Sequence, residues 1–328
     1  MSLNRPIATL SLVAASALVL AGCSSSSDDD SASSNESSTV EVEDNNGAQT
    51  VPSPPESVVA LDNRTFQTLS DWGIELSAAA VSLMPDTIDY TTDDSIIDIG
   101  NHREPDLEQI VAAEPDLVVN GQRFTQFHDQ IADLVPDATV LELDPREGES
   151  FDEELKRQIT VLGEVFEKQD EAQQLVDDFD EAVERVRDAY DDGKVMSVIT
   201  SGGEIGYSAP GNGRTFGPLY DLLGLTPALD VDDSSEGDQG DDISVEAIAD
   251  SDPDWILVMD RDAAISADDP EYQQAAEVIE GSQALTGVTA VQNEQIVYMP
   301  ADTYTNEGIQ TYTKFLNGFA DALEGANG

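Results

Sequence analysis

Pro105-Asp106-Leu107-Glu108-Gln109-Ile110 leads to Glu114-Pro115-Asp116-Leu117-Val118-Val119 and then to Arg123. The same order returns as Ile243-Ser244-Val245-Glu246-Ala247-Ile248, Asp252-Pro253-Asp254-Trp255-Ile256-Leu257 and Arg261. Leu107 to Val245, Pro115 to Pro253 and Arg123 to Arg261 span one constant offset. A helix, a Pro-Asp step and an apolar strand therefore occur twice, and each copy ends on an arginine. Duplication of such a unit predicts two similar lobes. Ligands of open α/β sheets sit beyond the carboxyl ends of the strands, so the matched arginines predict one positively lined cleft between the lobes.

Working outward, strands and helices alternate. Apolar runs at 58–61, 78–83, 117–119 and 139–141 predict strands. Helices are expected at 64–71, 107–113 and 124–134 between them, with Asp106 as an N-cap and Gly73 as a C-cap. That order predicts a largely parallel sheet. Ala172, Leu175, Val176, Phe179, Ala182, Val183, Val186 and Ala189 line one face of a long helix. A second lobe follows, with a strand at 194–200, a helix at 216–223, an acidic Gly-rich loop at 232–242, a strand at 296–298 and a closing helix at 308–323. The fold class is α/β: two Rossmann-like lobes with largely parallel sheets, joined by one long helix, with the ligand cleft between them. Residues 57–168 form the N-terminal lobe, 169–192 the interlobe helix and 193–328 the C-terminal lobe. A helical bridge is stiffer than a two-strand hinge, so a small opening motion is expected.

The 328 residues carry 14 basic and 68 acidic side chains, a net charge of −54. A surface this acidic repels phosphates, which excludes nucleic acid as a partner. Arg5 followed by the apolar run Ile7 to Leu20 predicts a signal peptide over 1–22. Cys23, after Leu20-Ala21-Gly22, is the expected lipidation site. It is the only cysteine, so no intrachain disulfide can form. Residues 23–56, rich in Ser, Asp, Glu and Asn, read as a disordered acidic tether. The expected location is therefore extracytoplasmic, lipid-anchored to the outer face of the cell membrane.

Arg123 and Arg261 are the first candidates for ligand contact. Arg214 is the third, in the loop Ser208-Ala209-Pro210-Gly211-Asn212-Gly213-Arg214-Thr215-Phe216-Gly217, which opens onto a helix. A guanidinium stays charged and presents a planar fork of donors to anionic oxygens. Tyr304 follows the last strand and Tyr207 precedes the Gly-rich loop. Each reads either as a cleft wall or as a core tyrosine, and Tyr304 is also a possible metal ligand. Glu108 and Glu246, in the first turns of the repeat helices, either offset the helix dipole, worth about 0.3–1 kcal/mol, or dock onto a partner. The two histidines, His102 and His128, are too few for a clustered zinc site. No nucleophile elbow, zincin or phosphate-loop motif occurs, so no enzyme is expected.

Residues 57–324 resemble the iron-siderophore-binding lipoproteins of ABC importers, the type III solute-binding proteins. The likeness is carried by the lipobox, Glu104-Pro105-Asp106-Leu107-Glu108 through Asn120-Gly121-Gln122-Arg123, Gly213-Arg214-Thr215-Phe216-Gly217 and Val258-Met259-Asp260-Arg261. The three-arginine set is similar to the branch that binds ferric catecholate-type siderophores. The resemblance implies that Arg123, Arg214 and Arg261 grip the anionic iron complex and that Tyr304 can complete iron coordination; Tyr207, Tyr304 and Phe124 are the expected walls of the pocket. It also implies that Glu108 and Glu246 dock on the ABC permease. Relatives that ligate iron directly often pair the tyrosine with a histidine before the second repeat helix. Gln239 is the nearest equivalent here, so a hexadentate ferric siderophore, needing no protein ligand, fits better. The expectation is a monomeric receptor without an intrinsic cofactor, whose ligand is an Fe(III)-siderophore complex. Haem, a corrinoid or ferric citrate are the alternative ligands, and a structural or adhesive lipoprotein is the alternative class.

Overall fold

Asp116 and Asp254 show what the repeated Pro-Asp step does. Asp116 accepts hydrogen bonds from the Glu56 and Ser57 N–H groups at 2.7 and 3.0 Å, and Asp254 accepts one from the Lys194 N–H at 2.7 Å. Each carboxylate thus ties the start of its own strand to the start of the neighbouring one. The residues before the two prolines match as well. Glu114 and Asp252 both adopt the left-handed conformation, with φ of 46° and 43°. The preceding helices, Leu107–Ala112 and Val245–Ser251, are capped by Asp106 and Ser244.

The computed structural model describes residues 38–231 and 234–326. The expected signal peptide, Cys23 and the expected tether as far as residue 37 lie outside the described residues. Residues 39–52, expected as tether, instead form an antiparallel hairpin of β1 (Thr39–Asp44) and β2 (Gly47–Pro52). Val42 and Val51 are buried, and buried Asp44 accepts the Glu142 N–H at 3.0 Å. The Asn45 N–H donates to the Glu142 carbonyl at 2.9 Å. The hairpin is ordered by the sheet edge it covers, a contact that a reading of its polar composition omits.

The first sheet contains β3 (Val58–Ala60), β4 (Ala78–Ala79), β5 (Ile97–Asp98), β6 (Leu117–Asn120) and β7 (Thr139–Glu142), in the order β5-β4-β3-β6-β7 and all parallel. The order reverses between β3 and β6, where an open α/β sheet leaves its crevice. The strand expected over 78–83 stops at Ala79, and Val81–Leu83 is a 3₁₀ turn. The second sheet holds β8 (Lys194–Ser201), β9 (Glu204–Tyr207), β10 (Thr226–Pro227), β11 (Asp241–Asp242), β12 (Trp255–Asp260) and β13 (Ile296–Tyr298). Its order is β11-β9-β8-β12-β13, with β10 also on β8. The pairs β8–β12 and β12–β13 are parallel, whereas β9 runs antiparallel to both neighbours.

Both faces of β8 and β12 are buried, in keeping with their unbroken apolar runs. Val195, Ile199, Leu257 and Met259 pack into one cluster with Phe315, Leu316 and Phe319 of the closing helix, Ile309–Ala326. Met196, Val198, Ile256 and Val258 pack into another on the opposite face. The expected connector is the helix Gln169–Ala189, whose buried side chains all lie in the second-lobe cluster. The helix before it, Phe151–Val165, enters both lobes: Val161, Leu162 and Val165 join the first core, Leu155 and Ile159 the second. Below the cleft the lobes touch directly. Asn306 donates to Gln67 at 2.8 Å and Thr68 to Gln310 at 2.9 Å. Gly308 lies so near the Arg64 carbonyl that an added Cβ would come within 2.5 Å of it.

Candidate functional site

Tyr304 lies on a 3₁₀ turn, Thr303–Thr305, after β13 and is 4 % exposed. Three guanidiniums stand over its ring. The centroid distances are 5.1 Å for Arg123, 4.5 Å for Arg214 and 4.6 Å for Arg261. The negative face of the ring attracts each cation, by about 0.5–2 kcal/mol depending on desolvation. One ring therefore gathers arginines from three separate sequence segments and both lobes.

Each arginine is placed by its own local device. β6 ends at Asn120, and Gly121 passes so close to Asp62 that a Cβ would come within 2.6 Å of its Oδ2. Gln122 follows at φ 51°, held by its N–H, which lies 2.7 Å from both Asp144 carboxylate oxygens. That turn directs Arg123 into the cleft. The Gly-rich loop before Arg214 is a closed turn. The Gly213 N–H donates to the Ala209 carbonyl at 2.9 Å, the Gly217 N–H to Gly213 at 2.7 Å, and the Ser208 hydroxyl to the Arg214 carbonyl at 2.8 Å. A Cβ at Gly213 would strike Ala209 at 2.3 Å. Arg261 opens the helix Arg261–Ile265 directly after β12, capped by the Asp260 carboxylate.

Three carboxylates, Glu307, Asp238 and Asp262, offset the clustered charge. Arg214 pairs with Glu307 at 2.6 Å, and the Thr215 hydroxyl donates to the other Glu307 oxygen. Burial opposes ionisation of Glu307, but Arg214, Arg64 and the Thr215 hydrogen bond outweigh it and hold its pKa below the ordinary value. Asp238 accepts from Arg261 at 3.0 Å and from the Tyr304 hydroxyl at 2.9 Å. Arg123 bonds only the Gln122 side chain, at 3.3 Å, and among the described residues has no carboxylate in ion-pair range.

A cavity of about 560 Å³ opens at this cluster, lined from one lobe by Asn101, His102, Arg103 and Arg123 and from the other by Arg214, Arg261 and Tyr304. An adjoining cavity of about 830 Å³ has four aspartates and one lysine, Lys314, in its lining. Despite its larger size, that charge balance disfavours an anion.

The structure brings Arg123, Arg214, Arg261 and Tyr304 together. Tyr207 stands apart: it is 2 % exposed on β9, and its hydroxyl donates to the Leu229 carbonyl. It is a core tyrosine, because the alternation of β9 turns it into the sheet. Phe124 is also fully buried, packed on Phe127, and does not wall the cavity. Glu108 and Glu246 are exposed at equivalent positions of the matched helices.

Residues not singled out for the cleft in the sequence also line it. In sequence His102 reads only as one of too few zinc ligands and Gln239 as a histidine equivalent; the loop after β5 presents His102 and Arg103 to the cavity, and the turn containing Gln239 presents its neighbour Asp238. Burial first, then the charges of Arg123 and Arg103, lower the His102 pKa, so its ring is neutral at pH 7. Its Nδ1 is buried with no hydrogen-bond partner. A basic pair at 102–103 is the only trace of this loop in the sequence.

A family model described as "Periplasmic binding protein" matches residues 58–303. The chain is 24 % identical over 327 residues to the petrobactin-binding protein YclQ of Bacillus subtilis, covering 98 % of this chain and 99 % of the relative. It is 23 % identical to the ferric-anguibactin-binding protein FatB of Vibrio anguillarum, covering 90 % of each. Among solved structures, the catecholate-siderophore binding protein VctP of Vibrio cholerae superposes with a TM-score of 0.74 at 22 % identity, over 88 % of this chain and 100 % of that one.

Proposed function

This chain belongs to the periplasmic binding protein family, and from that premise we propose that it is an extracytoplasmic receptor capturing an anionic ferric siderophore of catecholate type for an ABC importer. One observation carries the reading: three guanidiniums from both lobes converge on one tyrosine ring at the mouth of an interlobe cavity. Deprotonated catecholates around Fe(III) form a compact anion whose outer oxygens accept hydrogen bonds and whose rings stack on cations. Charge-assisted bonds of this kind are worth about 1.5–3 kcal/mol each. The distant acidic surface is screened beyond about 8 Å at physiological salt, so the local arginines set the potential that the ligand meets. The names of the relatives, a petrobactin-binding and a ferric-anguibactin-binding protein, support a ferric siderophore as the ligand.

The test is a fluorescence titration of the full chain with a ferric tris-catecholate, a ferric trishydroxamate, ferric citrate and haemin, each beside its iron-free form. Tight quenching by the ferric tris-catecholate is the expected result. Preference for haemin, with a Soret band lost in Tyr304→Phe, would replace this reading with a haem receptor.

Two further parts of the proposal concern placement. Leu20-Ala21-Gly22-Cys23 supports lipid anchoring through Cys23, which Cys23→Ala would abolish in a membrane-fractionation assay. Glu108 and Glu246, exposed at matched helix starts, are the proposed permease contacts. The double variant Glu108→Ala, Glu246→Ala should keep ferric-ligand affinity and lose uptake; undiminished uptake would remove the assignment.

A further inference from the structure

We propose that Asp238 selects the charge class of ferric complex that the cleft accepts, its carboxylate holding the anion position between Arg261 and the Tyr304 hydroxyl. The inference rests on the receptor reading above and deepens it.

The carboxylate is placed by the backbone rather than merely drawn in by the arginines. Gly237 to Gly240 form a turn closed by a 3.0 Å hydrogen bond from the Gly240 N–H to the Gly237 carbonyl. The turn presses on β9 so closely that a Cβ at Gly206 would lie 2.0 Å from the Gln239 carbonyl oxygen. Gly240, at φ 75°, makes the same approach from the other side. The flanks of the turn are also tied: the Ser235 N–H bonds the Asp241 carboxylate, and Asn212 bonds the Ser234 carbonyl at 2.9 Å. With its backbone so fixed, Asp238 points at the site, its side chain 50 % exposed and lining the cavity. Burial opposes its ionisation, but the hydrogen bonds from Tyr304 and Arg261 prevail and keep it charged.

A carboxylate in an anion receptor acts against the ligand. Arg103, Arg123, Arg214 and Arg261 line the cavity, where Arg214 pairs with Glu307, and Arg261 with Asp238 and Asp262. Within the lining of the cavity Asp238 is the one carboxylate beside four arginines, so its removal raises the local positive charge by one unit. Glu307 is buried and bonded to Arg214 and Thr215, and Asp262 is held by the Gly202 N–H, so both are structural. Asp238 is the half-exposed member that meets an incoming anion at the oxygen positions it would occupy. Repulsion grows with each negative charge the ligand carries. Asp238 therefore weakens the affinity of the cleft for the most highly charged ferric complexes relative to those of lower negative charge, such as partly protonated species.

The experiment compares the full chain with its Asp238→Asn variant, titrated with a ferric tris-catecholate trianion and with a neutral ferric trishydroxamate. Asp238→Asn should bind the trianion at least about tenfold more tightly, equivalent to about 1.4 kcal/mol. Its affinity for the neutral complex should change by less than about twofold. Asp238→Ala, which removes the carboxylate without adding an amide, carries the same expectation and guards against an effect peculiar to asparagine. Unchanged or weaker binding of the trianion by folded variants, with the native chain binding normally, would overturn the inference alone. Failure of the native chain and of both variants to bind either complex would overturn the receptor reading together with it.

Discussion

Among the three guanidiniums over Tyr304, Arg214 is bonded to Glu307 and Arg261 to Asp238, whereas Arg123 bonds only a neighbouring amide. Arg123→Ala should therefore separate binding from stability. Removing one charge-assisted ligand contact costs about 1.5–3 kcal/mol, which weakens the dissociation constant by about 10- to 150-fold. No buried acid is stranded, and the lost contact with the tyrosine ring accounts for about 0.5–1 kcal/mol of folding stability. Arg214→Ala should behave differently. Glu307 is 4 % exposed, and removing one partner of a buried ion pair costs about 3–5 kcal/mol. The lower end is expected, because Arg64 also acts on Glu307. Two arginines above one ring thus predict two phenotypes. Titration with the ferric tris-catecholate reads the first, and urea denaturation of the unliganded chains reads the second. The reasoning fails if Arg123→Ala retains native affinity, or if it destabilises the fold as much as Arg214→Ala does.

Asp62 is completely buried beside Gly121, and its pKa is raised to about 7, by burial first and then by Asp144, against the opposing charge of Arg64. A folded-state pKa above the unfolded one means that protonated Asp62 stabilises the fold at low pH and that this contribution is lost as pH rises from about 4 through 7. Asp62→Asn should consequently gain stability relative to the native chain across that window; parallel urea midpoints at pH 4.5 and 7.5 would count against it. Gly308→Ala places a Cβ 2.5 Å from the Arg64 carbonyl at the contact between lobes. It should destabilise by about 1–3 kcal/mol through overpacking and weaken ligand binding, because Arg123 and Tyr304 lie on opposite sides of that contact. Native affinity in a folded Gly308→Ala protein would show that the lobe spacing does not govern the site.

Much of the site was legible because it is written in local terms. The arginines at 123 and 261 end equivalent units, and strand–helix order places such positions at the crevice. Tyr207 and Tyr304 were indistinguishable in sequence, since each follows or forms part of an apolar strand. Only packing sends one into the core and the other beneath three cations. Asp238 was hidden among acidic neighbours in a loop whose placement depends on the close backbone approach of Gly206 and Gly240. The role of the helix Phe151–Val165 across both lobes was likewise missed, because its periodicity reveals an apolar face but not which core each residue enters.

The sequence by itself determined the duplicated unit, with its matched Pro-Asp steps and its terminal arginines. It also determined the alternation that builds two α/β lobes and the three arginines offered to a cleft. Those features depend on spacing and local backbone preference, which short stretches of chain carry with them. The tertiary structure decided the rest: that the segment 39–52 becomes a hairpin on the edge of β7, that His102 and Arg103 reach the cavity, and that Asp238 stands among the arginines. Polar and charged groups such as these have no periodic signature, and their positions follow from which distant backbone they meet once the apolar faces have been buried.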